Sequence, residues 1–496
     1  MSKTKQFDLA SLLSEPQLLN TKNYINGKWQ KAVSQQTYEV INPASGASIA
    51  GVANSDAIDA ANAARSAKKA FASWQLTTHR ERANLLEKWH QLTIEHTDDL
   101  ARIMTSEQGK PLAEAKAEVG YGASYVKWFA QLAMQLRGDI LPNSVPGRLQ
   151  TVEKRPVGVV AVITPWNFPF AMLARKIAPA LAAGCTVVVK PAEDTPLTAL
   201  AMAKLAEMAG FPEGVINVIA ASREQTALAV DAWLKDVHVK KLSFTGSTQV
   251  GRYLAERSAS SLKKLSLELG GNAPFIVFED SDIDAAITGL MAAKLRNGGQ
   301  TCVCPNRIYV ASAIYDEFAS RLVDKVAALK VADPFDDDTQ IGPMINQKAI
   351  DKISGHVKDA EAHGGIILCG STEPREGLFF EPVVIAEAHN KMALFSEETF
   401  GPVLPLFRFN SEEEAIEEAN NTEYGLAAYF YTQDHRRIHR VKAQLQAGVI
   451  GVNEGAVASE VAPFGGVKAS GYGREGSHYG LDDFLQITYV CEGNLF

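Results

Sequence analysis

The spacing of apolar positions divides the chain into regions with different predicted secondary structure. From about Ser55 to Gln135, alanine-rich amphipathic stretches follow one another, which predicts several consecutive helices with Ser55 capping the first. The segment 138–157 interrupts this pattern with three prolines, and a proline removes a donor that a sheet needs. We therefore predict an extended arm or an edge strand in that segment.

Beyond residue 157, short β-rich runs alternate with helical stretches, which predicts a parallel sheet covered by helices on both faces. Such sheets bind ligands at the carboxyl ends of their strands. The predicted strands are Val157–Thr164, Cys185–Lys190, Val215–Ile219, Lys241–Phe244 and Lys263–Leu267, and the helices between them include Met172–Leu181, Pro196–Ala209 and Thr248–Ser258. A second α/β block, 271–447, opens with strand Pro274–Phe278 and helix Asp282–Arg296. We expect the final β-like run, Phe484–Val490, to pair with the 138–157 arm or with a neighbouring subunit.

Length and composition indicate a folded protein of two or three domains, since 496 residues exceed one ordinary core. The net charge of −8 and the lack of a long basic run argue against nucleic acid as a partner. The sequence contains no apolar run of about 18 residues to span a bilayer and no secretory signal at its start. Its five cysteines are too scattered for a disulfide scaffold, so a cytoplasmic location is the simplest expectation.

The candidate nucleophile is Cys302, which follows a predicted helix and a Gly-Gly pair that leaves the backbone free to turn. Such a cysteine alone is more often a small buried residue, but two further segments favour chemistry. Glu268 lies in an apolar run at the end of a strand, where desolvation would raise its pKa and suit it to act as a base. Asn167 lies in a turn between two prolines and can donate its amide to an oxyanion. The alternative interpretations are that Glu268 is an ordinary surface glutamate and that Asn167 only forms an Asx turn.

Two weaker segments suit a nucleotide. Lys190 and Glu193 follow a strand and could bind ribose hydroxyls, and the strand before Gly246 and Ser247 leads into a helix whose N-terminus could face phosphate. The motif at 471–476 matches G-x-G-x-x-G but opens no βαβ unit, so we interpret it as a flexible loop. His435 and His439 have helical spacing among arginines, which predicts a solvated basic face and no metal site.

Together these segments resemble the aldehyde dehydrogenase superfamily over nearly the whole chain. The resemblance includes Glu397-Glu-Thr-Phe-Gly-Pro-Val403 and Pro463-Phe-Gly-Gly-Val-Lys-Ala-Ser-Gly471. Within the superfamily, Gly299-Gln-Thr-Cys-Val-Cys304 and the segment 470–480 resemble most the succinate-semialdehyde dehydrogenase branch. The resemblance implies an α/β fold with three parts: a Rossmann-type NAD(P)-binding domain (1–137 and 158–270), an α/β catalytic domain (271–447) and a β oligomerisation arm (138–157 and 480–496). Residues 448–479 would return to the cofactor domain and the active-site rim, and the chain would form a homodimer or homotetramer.

The resemblance also implies roles for individual residues. Cys302 attacks an aldehyde, the Asn167 amide and the Cys302 backbone N–H hold the oxyanion, and Glu268 activates the water that hydrolyses the resulting thioester. The cofactor site would be lined by Thr164, Trp166, Lys190, Glu193, Gly246, Ser247, Leu269, Glu398 and Phe400.

Specificity depends on a few polar residues. A carboxylate at Glu193 would accept from a ribose 2′-hydroxyl and repel a 2′-phosphate, so NAD is the expected cofactor and NADP a possible one. By the resemblance, Arg175, Arg296 and Ser459 would clamp the distal carboxylate of succinate semialdehyde, unless both arginines are structural ion-pair partners.

Three alternatives stay open at this point. Glutarate semialdehyde is one methylene longer, which a binding site discriminates only weakly. A cysteine hydrolase and an inactive nicotinamide-binding protein are the more distant ones. Cys304 is a candidate redox switch, because a Cys302–Cys304 disulfide would silence the nucleophile.

Overall fold

The structure is a computed structural model, and it describes residues 6–495. Within that range the helices are α1 (Ala57–Trp74), α2 (His79–Glu95), α3 (Thr97–Gln108), α4 (Leu112–Ala133), α5 (Ala171–Ala183), α6 (Pro196–Ala209), α7 (Arg223–Lys235), α8 (Thr248–Ala259), α9 (Ile283–Lys294), α10 (Tyr315–Ala327), α11 (Gln347–Ala362), α12 (Ala393–Ser396), α13 (Glu412–Asn420), α14 (His435–Gln444) and α15 (Ser477–Asp482).

The strands in the same range are β1 (Asn23–Ile25), β2 (Lys28–Gln30), β3 (Thr37–Ile41), β4 (Ser48–Ala53), β5 (Asp139–Ile140), β6 (Leu149–Pro156), β7 (Val159–Ile163), β8 (Thr186–Lys190), β9 (Ile216–Val218), β10 (Val239–Thr245), β11 (Lys264–Glu268), β12 (Ala273–Val277), β13 (Pro305–Ala311), β14 (Ile366–Cys369), β15 (Val383–Ala386), β16 (Val403–Phe409), β17 (Ala427–Tyr431), β18 (Val449–Val452), β19 (Gly471–Tyr472) and β20 (Leu485–Glu492).

An eight-stranded sheet has the order β19-β11-β10-β7-β8-β9-β1-β2. Its five inner strands, β11 to β9 in that order, are parallel, and the strands beyond them join antiparallel. Strands β7 and β8 are buried along their whole length, as expected for a sheet with helices on both faces. The strand–helix alternation that the sequence predicts from residue 157 is confirmed.

A seven-stranded sheet has the order β14-β15-β16-β13-β12-β17-β18 and is parallel except for the edge strand β14. Apolar residues pack against both of its faces, in one cluster that includes Phe380 and Phe430 and another that includes Phe318 and Tyr429. The predicted strand Pro274–Phe278 and helix Asp282–Arg296 correspond to β12 and α9, with Asp282 capping the helix by accepting from the Ala285 N–H at 3.0 Å.

The predicted arm forms a separate three-stranded sheet of β5, β6 and β20. Strand β20 pairs antiparallel with β6, from Leu485 opposite Pro156 to Glu492 opposite Leu149. The terminal run therefore pairs with the arm of its own chain, which was one of the two expected arrangements. The sheet leaves Ile140 and Ile487 exposed at 78% and 73%.

Three local expectations differ from the structure. Helix α1 is capped by Asp56, which accepts from the Ile58 N–H at 2.7 Å, whereas Ser55 instead accepts from the Asn23 side chain at 2.7 Å. The sequence patterns did not predict strands β1 to β4 before α1. The G-x-G-x-x-G segment is not a loose loop, because β19 pairs with the end of β11 and buries the neighbouring Glu475.

No helix among residues 6–495 is long and apolar enough to cross a membrane. Over the same residues, histidine, cysteine and acidic side chains do not gather in groups of three or more that could hold a metal ion.

Candidate active site

The register of the eight-stranded sheet brings distant segments to one edge. Thr245 pairs with Glu268, Phe244 with Ile163, and Ile163 with Lys190. Four parallel strands therefore end at the same level, and the loops that follow them face one cleft. This alignment places Glu268, Lys190 and the turns containing Asn167 and Gly246 along a single edge.

The loop that carries Cys302 has an unusual backbone. After α9 the chain makes a tight turn over Arg296–Gly299, in which Asn297 has a φ of +52°. The Glu114 carboxylate accepts from the Asn297 N–H at 2.7 Å and stabilises this turn. Gly299 has a φ of +78°, and a Cβ there would collide with the Gly401 carbonyl group. The Gly-Gly pair is therefore required by both backbone conformation and close packing.

Cys302 is half-buried, and its surroundings favour the neutral thiol. Burial, followed by the nearby Glu398 carboxylate, raises the pKa of Cys302 to about 12. A thiolate is the reactive form of a cysteine, and this environment keeps the Cys302 thiol protonated at neutral pH.

Glu268 is the last residue of β11 and is 3% exposed. Neither of its carboxylate oxygens has a hydrogen-bond partner among residues 6–495. Burial, and then repulsion from Glu475, raise the pKa of Glu268 well above its usual range. The unpartnered, protonatable carboxyl can therefore exchange a proton with a water molecule in the cleft.

Asn167 is 4% exposed and fully oriented by its neighbours. Its side-chain Nδ2 donates to the Gln300 carbonyl at 3.0 Å, two residues before Cys302. Its own carbonyl accepts from Lys110 Nζ at 2.7 Å and from Asn297 Nδ2 at 2.9 Å. Because an amide nitrogen has two hydrogens, Asn167 retains one donor for an oxyanion formed at Cys302.

Residues expected to bind a dinucleotide line the same edge. Glu193 lies 3.5 Å from Lys190 at the end of β8, and Ser247 caps α8, whose N-terminus follows β10 directly. Trp166 and Phe400 pack edge to face with ring centroids 5.5 Å apart. Thr245 has a buried hydroxyl without a hydrogen-bond partner among the described residues.

These groups fit NAD(P). The helix N-terminus suits a pyrophosphate, and Lys190 and Glu193 suit a ribose. Glu398 accepts from the Gly271 N–H at 3.2 Å, and its carboxylate lies close enough to Cys302 to raise the pKa of that thiol. Leu269 packs against Gly251 of α8, and Thr164 is hydrogen-bonded through its N–H to the Lys190 carbonyl at 3.4 Å.

The three candidate substrate residues lie on one wall built around two tyrosines. Tyr121 and Tyr125 share a hydrogen bond of 2.9 Å, and the Tyr125 hydroxyl reaches the Ser459 carbonyl at 3.3 Å. The Arg175 guanidinium lies 5.5 Å from the Tyr125 ring centroid, and that of Arg296 lies 5.5 Å from the Tyr121 ring centroid. The structure therefore brings Arg175, Arg296 and Ser459 together.

The two arginines differ in their partners. Arg175 is 2% exposed and forms an ion pair of 2.8 Å with Glu475. Arg296 is half-buried, stacks on Phe168 at 4.6 Å, and forms no ion pair within residues 6–495. Glu114, whose carboxylate lies within range of the Arg296 charge, is already bound to the Asn297 N–H. Arg175 therefore has a carboxylate partner, which it shares with Lys176, whereas Arg296 has none within residues 6–495.

Cys304 is fully buried. Its Sγ donates to the Gly299 carbonyl at 3.3 Å and lies 3.7 Å from Lys294 Nζ. The two cysteines of the loop are both free thiols.

Sequence patterns did not single out several residues that hold the site together. Lys110, Glu118 and Asn297 orient Asn167, and Lys176 shares the Glu475 carboxylate with Arg175. Apart from the Lys110–Glu118 contact, which spans 8 positions, these contacts join residues 57 to 299 positions apart, so short-range spacing carries no sign of these roles.

Comparisons with known proteins show which family the chain resembles and over what length. The profile of the aldehyde dehydrogenase family matches residues 29–490. The chain is 49% identical over 479 residues to the glutarate-semialdehyde dehydrogenase of Pseudomonas putida, covering 97% of this chain and 99% of that protein. It is 48% identical over 482 residues to the NADP(+) succinate-semialdehyde dehydrogenase of Escherichia coli, with the same coverage.

A solved structure shows that the similarity extends to the fold. The succinate-semialdehyde dehydrogenase from Burkholderia pseudomallei is 50% identical, with a TM-score of 0.95 over 97% of this chain and 99% of that one. These matches confirm the expected fold and leave the hydrolase and the inactive binding protein without support. The chain belongs to the aldehyde dehydrogenase family and is an NAD(P)-dependent oxidoreductase that acts on aldehydes.

Proposed function

We propose that this enzyme oxidises succinate semialdehyde to succinate. The observation that carries the proposal is the Arg296 guanidinium, which lies on the wall of the cleft without a carboxylate partner among the described residues. A guanidinium binds a carboxylate through two parallel hydrogen bonds, and an aldehyde with a distal carboxylate would supply that partner. The names of relatives from Escherichia coli and Burkholderia pseudomallei agree with such a substrate.

In this proposal the residues act in a defined order. Cys302 Sγ attacks the aldehyde carbon, and the free Asn167 amide hydrogen and the Cys302 backbone N–H stabilise the oxyanion. The cofactor, when bound, supplies a hydride acceptor, and a thioester remains on Cys302. Glu268 then takes a proton from water, which attacks the thioester and releases the acid.

The first step of this reaction, attack by Cys302, requires the thiol to lose its proton. With a pKa of about 12, Cys302 must lose its proton as the substrate complex forms. Glu268, whose carboxylate has no hydrogen-bond partner among residues 6–495, can take this proton and must release it to solvent before it takes one from water. The positive charge of Arg175 already acts to lower the Cys302 pKa. A ligand with positive charge near the sulfur would lower it further.

The choice between NAD and NADP depends on Glu193. Its half-exposed carboxylate pairs with Lys190 at 3.5 Å and would repel a 2′-phosphate, which supports NAD. The Escherichia coli relative carries NADP(+) in its name, which favours the other outcome. We keep NAD preference as a prediction, to be tested by comparing kcat/KM for the two cofactors; a higher value with NADP would refute it.

Glutarate semialdehyde is the second candidate, because a relative from Pseudomonas putida bears that name at nearly equal identity. One methylene changes binding by about 1–3 kcal/mol, so both substrates are to be measured side by side.

The test of the proposed function compares succinate semialdehyde with butanal. The two aldehydes have the same chain length and differ in the distal carboxylate. A bound aldehyde would cover the half-buried Arg296 guanidinium. Leaving the guanidinium unpaired in that complex would cost about 2–5 kcal/mol, so we expect kcat/KM to favour succinate semialdehyde by roughly thirty- to several-thousand-fold. Equal turnover would leave the aldehyde dehydrogenase activity in place and remove Arg296 from substrate recognition.

Assembly and location also belong to the proposal. The exposed apolar residues of the arm, Ile140 and Ile487, support a homodimer or homotetramer formed through that sheet. Light scattering of the purified protein would distinguish a monomer from either. A cytoplasmic location remains an expectation from the scattered free cysteines.

A further inference from the structure

The structure assigns to the buried pair of Lys110 and Glu118 the task of orienting Asn167, so that Lys110 is a positioning residue for oxyanion binding. This inference rests on the proposed role of Asn167 and deepens it. Neither side chain faces the cleft, and Lys110 and Glu118 are 0% and 1% exposed.

Lys110 holds the backbone of Asn167 directly. Its ammonium donates to the Asn167 carbonyl at 2.7 Å and to the Glu118 carboxylate. The same carbonyl also accepts from Asn297 Nδ2 at 2.9 Å. Two donors on one carbonyl oxygen fix the orientation of the peptide that follows Asn167, and with it the direction in which the side chain leaves the backbone.

Glu118 also binds the start of helix α5. Its second carboxylate oxygen accepts from the N–H groups of Phe170 and Ala171 at 2.9 Å and 3.1 Å. These are the first free donors at the start of α5, where a negative charge is favourable. One carboxylate therefore joins Lys110, the turn containing Asn167 and the helix that carries Arg175.

Burying this ion pair costs free energy, so packing alone does not explain why charged residues occupy these two positions. Two fully buried charges lose their hydration, and apolar residues of the same volume often give equal or greater stability. Burial also lowers the pKa of Lys110, and the Glu118 charge opposes that shift. Because the ammonium hydrogen-bonds the backbone of an oxyanion-binding residue, the pair contributes geometry that an apolar substitute lacks.

Lys110 also lies beside the substrate wall. Its Nζ is 4.1 Å from the Phe168 ring centroid, and the Arg296 guanidinium is 4.6 Å from the same ring. Loss of Lys110 would therefore free both the Asn167 peptide and the ring on which Arg296 stacks. A displacement of about 1 Å in such a site costs as much as 100-fold in rate.

The test uses Lys110→Met, the double variant Lys110→Met/Glu118→Gln, and Lys116→Met as the control. The double variant avoids leaving Glu118 buried without a partner. Lys116 lies on the same helix as Glu118, is 45% exposed and pairs with Asp98 on the surface. For each variant we would measure kcat and KM with succinate semialdehyde, hydrolysis of p-nitrophenyl acetate, cofactor affinity, and the rate at which iodoacetamide alkylates Cys302.

The expected result is a fall of about 10- to 100-fold in kcat for both reactions, because each forms an oxyanion at Cys302. Cofactor affinity and alkylation should match wild type, since neither needs the oxyanion site. Wild-type kcat in the double variant would overturn the inference. So would a parallel loss of alkylation, cofactor affinity and turnover, which would indicate a purely structural role. Failure of the wild-type enzyme to oxidise the aldehyde would instead refute the proposed function.

Discussion

The Arg175 guanidinium lies 2.8 Å from the Glu475 carboxylate, and both side chains are almost completely buried. Lys176 contacts the same carboxylate, so Glu475 is shared by two cations. The burial of Arg175 alone would lower its pKa, but the charge of Glu475 more than compensates and raises it. Arg175 is therefore held in a buried ion pair, whereas Arg296 has no ion-pair partner among residues 6–495 and is the proposed ligand of the substrate carboxylate.

Replacing Arg296 by leucine should reduce kcat/KM for succinate semialdehyde by roughly thirty- to several-thousand-fold. The value for butanal should change little, because butanal has no carboxylate for the guanidinium to bind. Steady-state kinetics with both aldehydes checks this. An equal loss for both substrates would show that Arg296 supports the loop and does not recognise the substrate.

Replacing Arg175 by leucine should lower stability. Removing one partner from a buried pair costs about 3–5 kcal/mol, and Lys176 should keep the loss near the lower value. Urea unfolding of Arg175→Leu beside Arg296→Leu measures the difference. If Arg296→Leu proved the less stable of the two, the assignment of roles would be reversed.

Alkylation of Cys302 in the absence of cofactor should accelerate about tenfold per pH unit between pH 7 and 10. The physical reason is that its pKa is raised to about 12 by burial and by Glu398, so the thiolate fraction grows through this whole range. The rate of iodoacetamide labelling at Cys302 is the measurement. A plateau below pH 9 would contradict the raised pKa.

Glu268→Gln should lower kcat by about 10²- to 10⁴-fold while Cys302 still forms the acyl-enzyme. Because burial raises the pKa of Glu268, its basic form increases with pH over a higher range than that of an ordinary carboxyl group. Deacylation of the wild type should therefore speed up with pH, and the variant should lose this dependence. Single-turnover kinetics across pH separates the two steps; a variant with unchanged deacylation would exclude Glu268 as the base.

Mild peroxide treatment should inactivate the enzyme, and dithiothreitol should restore activity only when Cys304 is present. Disulfide formation requires the buried Cys304 to leave its contacts with the Gly299 carbonyl and Lys294. Cys304→Ala tests the switch, and Cys369→Ala, which removes a half-buried cysteine of edge strand β14, is the control. Full recovery of Cys304→Ala would exclude the switch.

Glu193→Ser should raise kcat/KM with NADP relative to NAD, because it removes a carboxylate that repels the 2′-phosphate. Lys190, 3.5 Å away, would then be free to bind the phosphate. Measuring both cofactors on wild type and variant gives the ratio. An unchanged ratio would show that Glu193 does not contact the ribose.

Local patterns predicted the strands and helices around the site closely. Strand β8 was expected to end at Lys190 and does so, and α6 has the predicted bounds, since apolar runs and Pro196 define both elements within a few residues. Strands β1 to β4 were missed: β1 and β2 have three residues each, β2 and β3 are partly exposed, and β1 and β2 join the sheet as antiparallel additions at its edge. Local spacing carries no information about such long-range pairing.

The sequence by itself predicted the candidate reactive groups: a cysteine after a flexible turn, a carboxyl in an apolar strand end, and an amide between two prolines. It did so because nucleophile, base and oxyanion donor each need a particular residue type in a particular local setting. Only the tertiary structure decided what surrounds them. Parallel register brought Glu268 and Lys190 to one edge, and Glu475 paired with Arg175 from a position 300 residues away. Charge pairing depends on distance in space, so the chain had to fold before one arginine could be identified as free.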